Sequence, residues 1–249
     1  MRDCLKWKMH CFAHSLLLPI LLVAGLLCGM SFILLSHEDG FASGIEFMRA
    51  SVSFSSSFLV LAAGVFCAMS INRSVVSRQV SVCVMSGASR ASVIFVECLF
   101  YILPLTIFVL VSSLVSFVAG SIVSGSLGIT SIASAFFELA WLLVSLLVIA
   151  SCFCVCVPLA LLMKREGGCA AVCLLANLEL YSMVQSLFQT ETPNEGLIKL
   201  ASFTSFGQLF LFPVCDSLSG VITAFVVSLL TLALFFTLDF IIFRRMELK

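Results

Sequence analysis

A chain of 249 residues that is 61% hydrophobic and only 10% charged, with a mean hydropathy of +1.22, is far more apolar than a soluble domain, in which roughly 45–50% of residues are apolar and about 25% charged. A bilayer-spanning helix takes about 20 residues, so the length admits roughly six spans with their connections and leaves no room for a soluble catalytic domain. Thirteen basic residues balance 13 acidic ones, which argues against nucleic acid as a partner, because affinity for a phosphate backbone needs a basic surplus.

In chain order, the basic start (Arg2, Lys6 and Lys8 around Trp7, with His10 and His14 one helical turn apart) predicts a helix lying at the membrane interface. The apolar run over residues 12–35 is too long for a signal peptide and lacks a small-x-small cleavage site, so it reads as a retained first span. Within it Gly25 and Gly29 form a GxxxG. That pattern lets two helix backbones approach closely, either within one chain or between subunits. Further spans are predicted over residues 54–71, 93–119, 136–163, 169–188 and 218–243, each able to cross about 30 Å of hydrocarbon. The serines between Ser51 and Ser57 can bond between helices at the start of the second span. Pro104 and Pro158 are expected to kink the third and fourth. A tight turn is predicted at Lys164 to Gly168, using the backbone freedom of Gly167 and Gly168. The outer segment 189–217 contains Pro193 and Pro213 yet stays apolar from Leu197 to Phe212, which predicts short re-entrant or interfacial helices before the last span.

Six spans put both termini on one side, and basic residues choose that side. With cytoplasmic termini, Arg2, Lys6, Lys8, Arg73, Arg78, Arg90, Lys164, Arg165, Arg244, Arg245 and Lys249 lie inside, whereas only Arg49 and Lys199 lie outside. The expected protein is therefore a single all-α transmembrane domain, multi-pass in the cytoplasmic membrane with both ends inside. Of the 12 cysteines, Cys215 alone falls outside, so a disulfide scaffold is not expected and the thiols read as small buried hydrophobes. In the run Cys152, Cys154 and Cys156, only Cys152 and Cys156 share a helix face, with no facing pair of ligands for a metal.

No GxxxxGK[ST], HExxH or GxSxG occurs, so this chain supplies neither a Walker-type ATP site nor a familiar hydrolase or zinc-protease centre. No catalytic residue, resident cofactor or metal ligand is expected. The most distinctive stretch is the connection over residues 72–92, NRSVVSRQVSVCVMSGASRAS. Val76, Val80 and Val84 recur at four-residue intervals and predict a short helix with an apolar stripe that presents Arg73 and Arg78. Gly87 is placed to end that helix in a left-handed conformation, and Ser89 to cap the next one. A strand is disfavoured, since its open edges would stay unpaired at a membrane surface.

With the MSGASR of Met85 to Arg90 leading directly into a long third span, a bulky connection before the last span and a terminal FRRMELK, the chain resembles the permeases of type-2 ATP-binding cassette exporters. The likeness is strongest to the small six-span bacterial ones linked to antimicrobial-peptide resistance and bacteriocin immunity. It differs in carrying no acidic residue between Asn72 and Arg90. The resemblance implies a bacterial transport subunit whose ATP and Mg are bound by a separate cytoplasmic ATPase, paired with a second copy or a sister permease. It also implies that Arg73, Arg78, Gly87, Ser89 and Arg90 belong to the element that couples to that ATPase, together with the N-terminal interfacial helix, and that residues 189–217 gate release outside.

Carboxylates within spans are functional candidates, because a buried charge is costly. Glu179 stands ten residues into the fifth predicted span, about 15 Å deep at 1.5 Å per residue. It is expected either to line a polar translocation path or to pack as a hydrogen-bonded carboxyl. Glu97, seven residues beyond Arg90, is the second path candidate. Glu138 and Asp239 lie near span ends, Asp239 being expected to reach toward Arg244 or Arg245. Two other readings stay open: a proton-coupled secondary carrier using Glu179 and Glu97, although no broken helices occur in matched pairs, and a non-transporting membrane sensor or assembly module.

Overall fold

A computed structural model describes residues 6, 8–9, 17–36, 41–76, 79–163, 165–189, 195–215 and 217–245. Its elements are α1 (Leu17–Leu35), α2 (Gly44–Cys67), α3 (Gln79–Met85), α4 (Arg90–Ser124), α5 (Ile132–Phe153), α6 (Cys156–Leu162), α7 (Glu166–Gln189), α8 (Glu195–Ser202), α9 (Ser205–Leu211) and α10 (Leu218–Arg245). No strand occurs among the described residues. Among the described residues, six helices are long and apolar enough to cross a membrane: Leu18–Leu35, Gly44–Val76, Arg90–Ser124, Ile132–Leu162, Glu166–Phe188 and Leu218–Arg245. The chain is an all-α, multi-pass membrane protein.

The second span begins ten residues before the predicted position 54, because Ser43 caps it: its hydroxyl accepts the Glu46 N–H at 3.4 Å, and Glu46 Oε2 accepts the Ala42 N–H at 2.8 Å. This reciprocal cap outweighs the charge of Glu46 and Arg49, which places both in a helix instead of a loop. At its other end α2 passes without a break through a π turn, Ala68–Asn72, into the short helix Arg73–Val76.

α4 is the central element, with α1 and α2 packed on it; α7 packs on α2, and α10 on α5. Gly25 and Gly29 make the first of these contacts possible. A Cβ at Gly29 would lie 2.8 Å from the Ser112 carbonyl, and one at Gly25 would lie 3.1 Å from that of Phe108. The GxxxG therefore serves α1 against α4 within one chain. Ser55 donates to Ser112 at 2.8 Å, Ser116 to the Gly29 carbonyl at 3.4 Å, and Ser57 shares a hydrogen with Tyr181 at 3.0 Å. The serine run thus ties α2 to α4 and α7, replacing hydration that a membrane interior does not offer.

The fourth span is interrupted between α5 and α6. Pro158 has no N–H and forbids a regular helix one turn earlier; the Val157 N–H turns to the Cys154 carbonyl, three residues back, at 3.1 Å. The Phe153 carbonyl accepts instead from the buried Tyr101 hydroxyl at 3.1 Å. Pro104, by contrast, sits inside a continuous α4. Gly167 and Gly168 also depart from expectation. Both lie in the first turn of α7, and positive φ is confined, among described glycines, to Gly87, Gly125 and Gly128.

Candidate functional site

Three polar assemblies interrupt the apolar bundle. The first lies at the end that carries the described parts of both termini. Gly87 has φ 94° and ends α3, and Ser89 caps α4 by accepting the Ser92 N–H at 3.3 Å, as their positions in the sequence predict. The valine stripe is realised only in part: Val80 is buried and Val84 half-buried, while Val76 is exposed. The stripe breaks because Val76 continues the second span whereas Val80 and Val84 belong to α3. Arg73 is exposed beside it; Arg78, His10 and His14 lie outside the described residues.

Arg90 reaches across to α10, donating to the Arg244 carbonyl at 2.9 Å and the Phe243 carbonyl at 3.4 Å. It thereby supplies a donor to carbonyls in the last described turn of the final span. Glu97 is 4% exposed and pairs with Lys8 Nζ at 2.5 Å. Lys6, Lys8 and Met9 are helical, so the ion pair clamps the N-terminal segment onto α4. Asn72, on the π turn, donates from Nδ2 to the Ala160 and Met163 carbonyls at 2.9 and 2.7 Å, closing the C-terminal end of α6. At this end of the bundle separate polar contacts thus tie Lys8 to α4, α4 to α10, and the π turn after α2 to α6.

The second assembly lies at the opposite end. Arg49 on α2 makes a two-pronged ion pair with Glu138 on α5, Nη2 to Oε1 at 2.6 Å and Nε to Oε2 at 3.1 Å. The guanidinium also stands 5.5 Å from the Trp141 ring centre, and Trp141 stacks on Phe212 at 5.0 Å. This chain of contacts fastens the turn after α9 to α2 and α5. Beside it opens a cleft of about 910 Å³ lined by Phe41, Glu46, Arg49, Ser53, Glu138 and Phe210, among others. The preceding segment forms two short helices, α8 and α9, with Thr204 capping α9 through the Gly207 N–H at 3.1 Å.

The third consists of isolated carboxyl groups in the spans. Glu179 lies on the exposed face of α7, in line with Leu175 and Ser182, which are also exposed. It does not meet Glu97, which is buried against Lys8. Asp239 does not reach Arg244 or Arg245: it is fully buried, with Cys98 Sγ at 3.9 Å from Oδ2. Helical phase explains this, since Asp239 falls on the same face of α10 as buried Phe243, one turn on. Cys152, Cys154 and Cys156 are all buried. Among the described residues no group of three or more His, Cys, Asp or Glu is placed to hold a metal ion.

Nothing in the sequence pairs Arg49 with Glu138. The available signal is a single arginine inside an apolar, serine-rich stretch, since such a charge in a span requires a partner. Asn72 and Tyr101 carry no comparable signal, because their roles depend on carbonyls left open elsewhere, at the C-terminal end of α6 and one turn before Pro158. Neither the family models nor the curated proteins compared with this chain match it.

Proposed function

We propose that this protein is the permease subunit of an ATP-binding cassette exporter, moving an amphipathic or hydrophobic substrate such as a peptide, lipid or drug across the cytoplasmic membrane. The observation that carries the reading is the polar end of the bundle. Exposed Arg73, the short α3, the left-handed Gly87 and the Ser89 cap lie along one connection between spans, with Arg90 tying the start of α4 to α10 and Lys8–Glu97 tying α4 to the N-terminal segment. A force applied to that connection is delivered to several spans at once, which is what coupling to a separate motor requires. In this reading the termini are cytoplasmic, ATP and Mg belong to a partner ATPase, and a second permease, identical or sister, completes the path. Arg73, Arg78, Gly87, Ser89 and Arg90 form the coupling element, and residues 189–217 the outer gate. The chain itself performs no covalent chemistry.

The deciding experiment is affinity purification from native membranes in mild detergent, with mass spectrometry for a Walker-motif ATPase in near-equal amount. Its absence, under conditions that preserve a known complex of this kind, overturns the proposal.

A proton-coupled carrier is the second reading, favoured by exposed Glu179 midway along α7. A carboxyl facing hydrocarbon is costly, so water or protein covers that face in the membrane. Loss of pH-gradient-driven uptake in Glu179→Gln supports the carrier; retained ATP-dependent export removes the proton role from Glu179.

A further inference from the structure

Asp239 is a buried carboxyl that no cation approaches among the described residues. It is 0% exposed, its Oδ1 has no partner among the described residues, and the Cys98 thiol at 3.9 Å is the contact to Oδ2. The cations that sequence proximity offers, Arg244 and Arg245, are exposed. Arg90 donates to the carbonyls of Phe243 and Arg244, and Lys8 pairs with Glu97. Among the described residues, Cys98 on α4, Cys154 beyond the end of α5 and Cys67 on α2 are titratable groups that share its surroundings, and none brings a positive charge. A carboxyl left in this state in a membrane interior is costly unless a donor or cation reaches it.

The space beside it could admit such a partner. A cavity of about 380 Å³ between α4 and α10 is lined by Phe95, Leu99, Ile102, Leu229, Phe236 and Asp239, among others, a size within the about 300–1,000 Å³ common for small-ligand sites. Apart from Asp239 its walls are aliphatic, aromatic or thiol. The neighbouring residues on α10, Leu229, Leu230, Ala233 and Leu234, are exposed, so the cavity communicates with the surface that lipid covers. Asp239 lies six residues before Arg245 at the end of α10, about 9 Å along the helix at 1.5 Å per residue. An entrant from the adjoining leaflet therefore meets apolar walls along its length and a carboxyl at its head.

We propose that the α4–α10 cavity at Asp239 binds a lipophilic ammonium, an aliphatic amine whose protonated nitrogen donates to Asp239 while its chain lies between Ile102, Leu229 and Phe236. A metal is a poor fit, since the Asp239 carboxylate and the Cys98 and Cys154 thiols are not placed as a coordination set. A neutral apolar molecule would fill the walls and leave Oδ1 unpaired. The site stands apart from the transport reading and does not depend on it. An amine-headed lipid and a free lipophilic amine share this chemistry.

The test uses the full chain in nanodiscs of phosphatidylcholine, which presents no N–H donor, and decylamine carrying a diazirine near the chain end. Photolabelled peptides are mapped by mass spectrometry. Labelling is expected on the wall formed by Leu229, Leu232 and Phe236, with decylamine at least about tenfold more effective than decanol as a competitor, the discrimination expected of a charge-assisted hydrogen bond. Asp239→Asn should lower that labelling by a similar factor. Should Asp239→Asn fail to fold, Ala233→Trp, on an exposed position of the cavity wall, should remove the labelling with the carboxyl intact. Equal competition by decanol, undiminished labelling in Asp239→Asn or Ala233→Trp, or labelling spread evenly over the lipid-facing helices overturns the proposal. Suppression of labelling in discs containing phosphatidylethanolamine identifies an aminolipid as the source of the ammonium, and unchanged labelling a free amine.

Discussion

The Tyr101 hydroxyl donates to the Phe153 carbonyl at 3.1 Å, across the interface between α4 and the interrupted fourth span. The bond exists because Pro158 and the Val157–Cys154 turn leave that carbonyl without a helical donor. Tyr101→Phe preserves the ring and removes the only atom that meets this need. The expected loss is about 1–3 kcal/mol, the cost of leaving a buried polar group unsatisfied. Unfolding of the detergent-solubilised protein, followed by circular dichroism during a denaturant titration, measures it; an unchanged midpoint would show that the carbonyl finds another donor.

The Arg49–Glu138 pair couples the first turns of α2 to α5 and, through Trp141 and Phe212, to the turn after α9. Breaking a largely buried pair strands the remaining charge, at a cost of about 3–5 kcal/mol. Arg49→Ala is therefore expected to destabilise more than the double variant Arg49→Ala/Glu138→Gln, in which no charge is stranded. A double-mutant cycle on unfolding free energies reads the coupling, and additive effects would remove this clamp from the account.

Why the helices were legible and these contacts were not follows from the range over which each is determined. Apolar runs of about 20 residues reveal spans because the bilayer requires them, and Gly87 and Ser89 reveal their turn because glycine's φ and serine's hydroxyl act locally. The start of α2 was missed because Ser43 and Glu46 form a cap whose value exceeds the penalty that a hydropathy window assigns to Glu46 and Arg49. Distance along the chain points Asp239 to Arg244 and Arg245, whereas the helix turns it toward Cys98 on α4. Glu97 and Glu179 could not be separated by sequence, both being single acids in apolar runs. One meets a lysine from the N-terminal segment and the other faces outward.

The two glycines of α1 differ in how closely α4 approaches them. A methyl group at Gly29 would lie 2.8 Å from the Ser112 carbonyl, against 3.1 Å from the Phe108 carbonyl at Gly25. Backbone cannot yield as a flexible side chain can, so Gly29→Ala should cost more than Gly25→Ala, within the range of about 1–3 kcal/mol typical of overpacking. Gly29→Leu should separate α1 from α4. Cysteine pairs placed on the two helices report this through their cross-linking yield, and equal yields in Gly29→Leu and the parent would contradict the close contact.

Lys8 and Arg73 distinguish a structural clamp from a docking charge at the same end of the protein. Lys8 holds buried Glu97, so Lys8→Ala strands a carboxylate. It should lower both stability and any ATP-dependent transport, and Glu97→Gln in the same chain should recover part of the stability. Arg73 is exposed, so Arg73→Glu should leave the unfolding midpoint within about 0.5 kcal/mol of the parent, as surface changes usually do. On the exporter reading it nevertheless weakens co-purification of the ATPase, because reversing a charge at a docking surface places like or unmatched charges together. Quantifying ATPase recovered with each variant, beside its unfolding midpoint, separates the two effects. Full recovery and full transport with Arg73→Glu would remove Arg73 from the coupling surface.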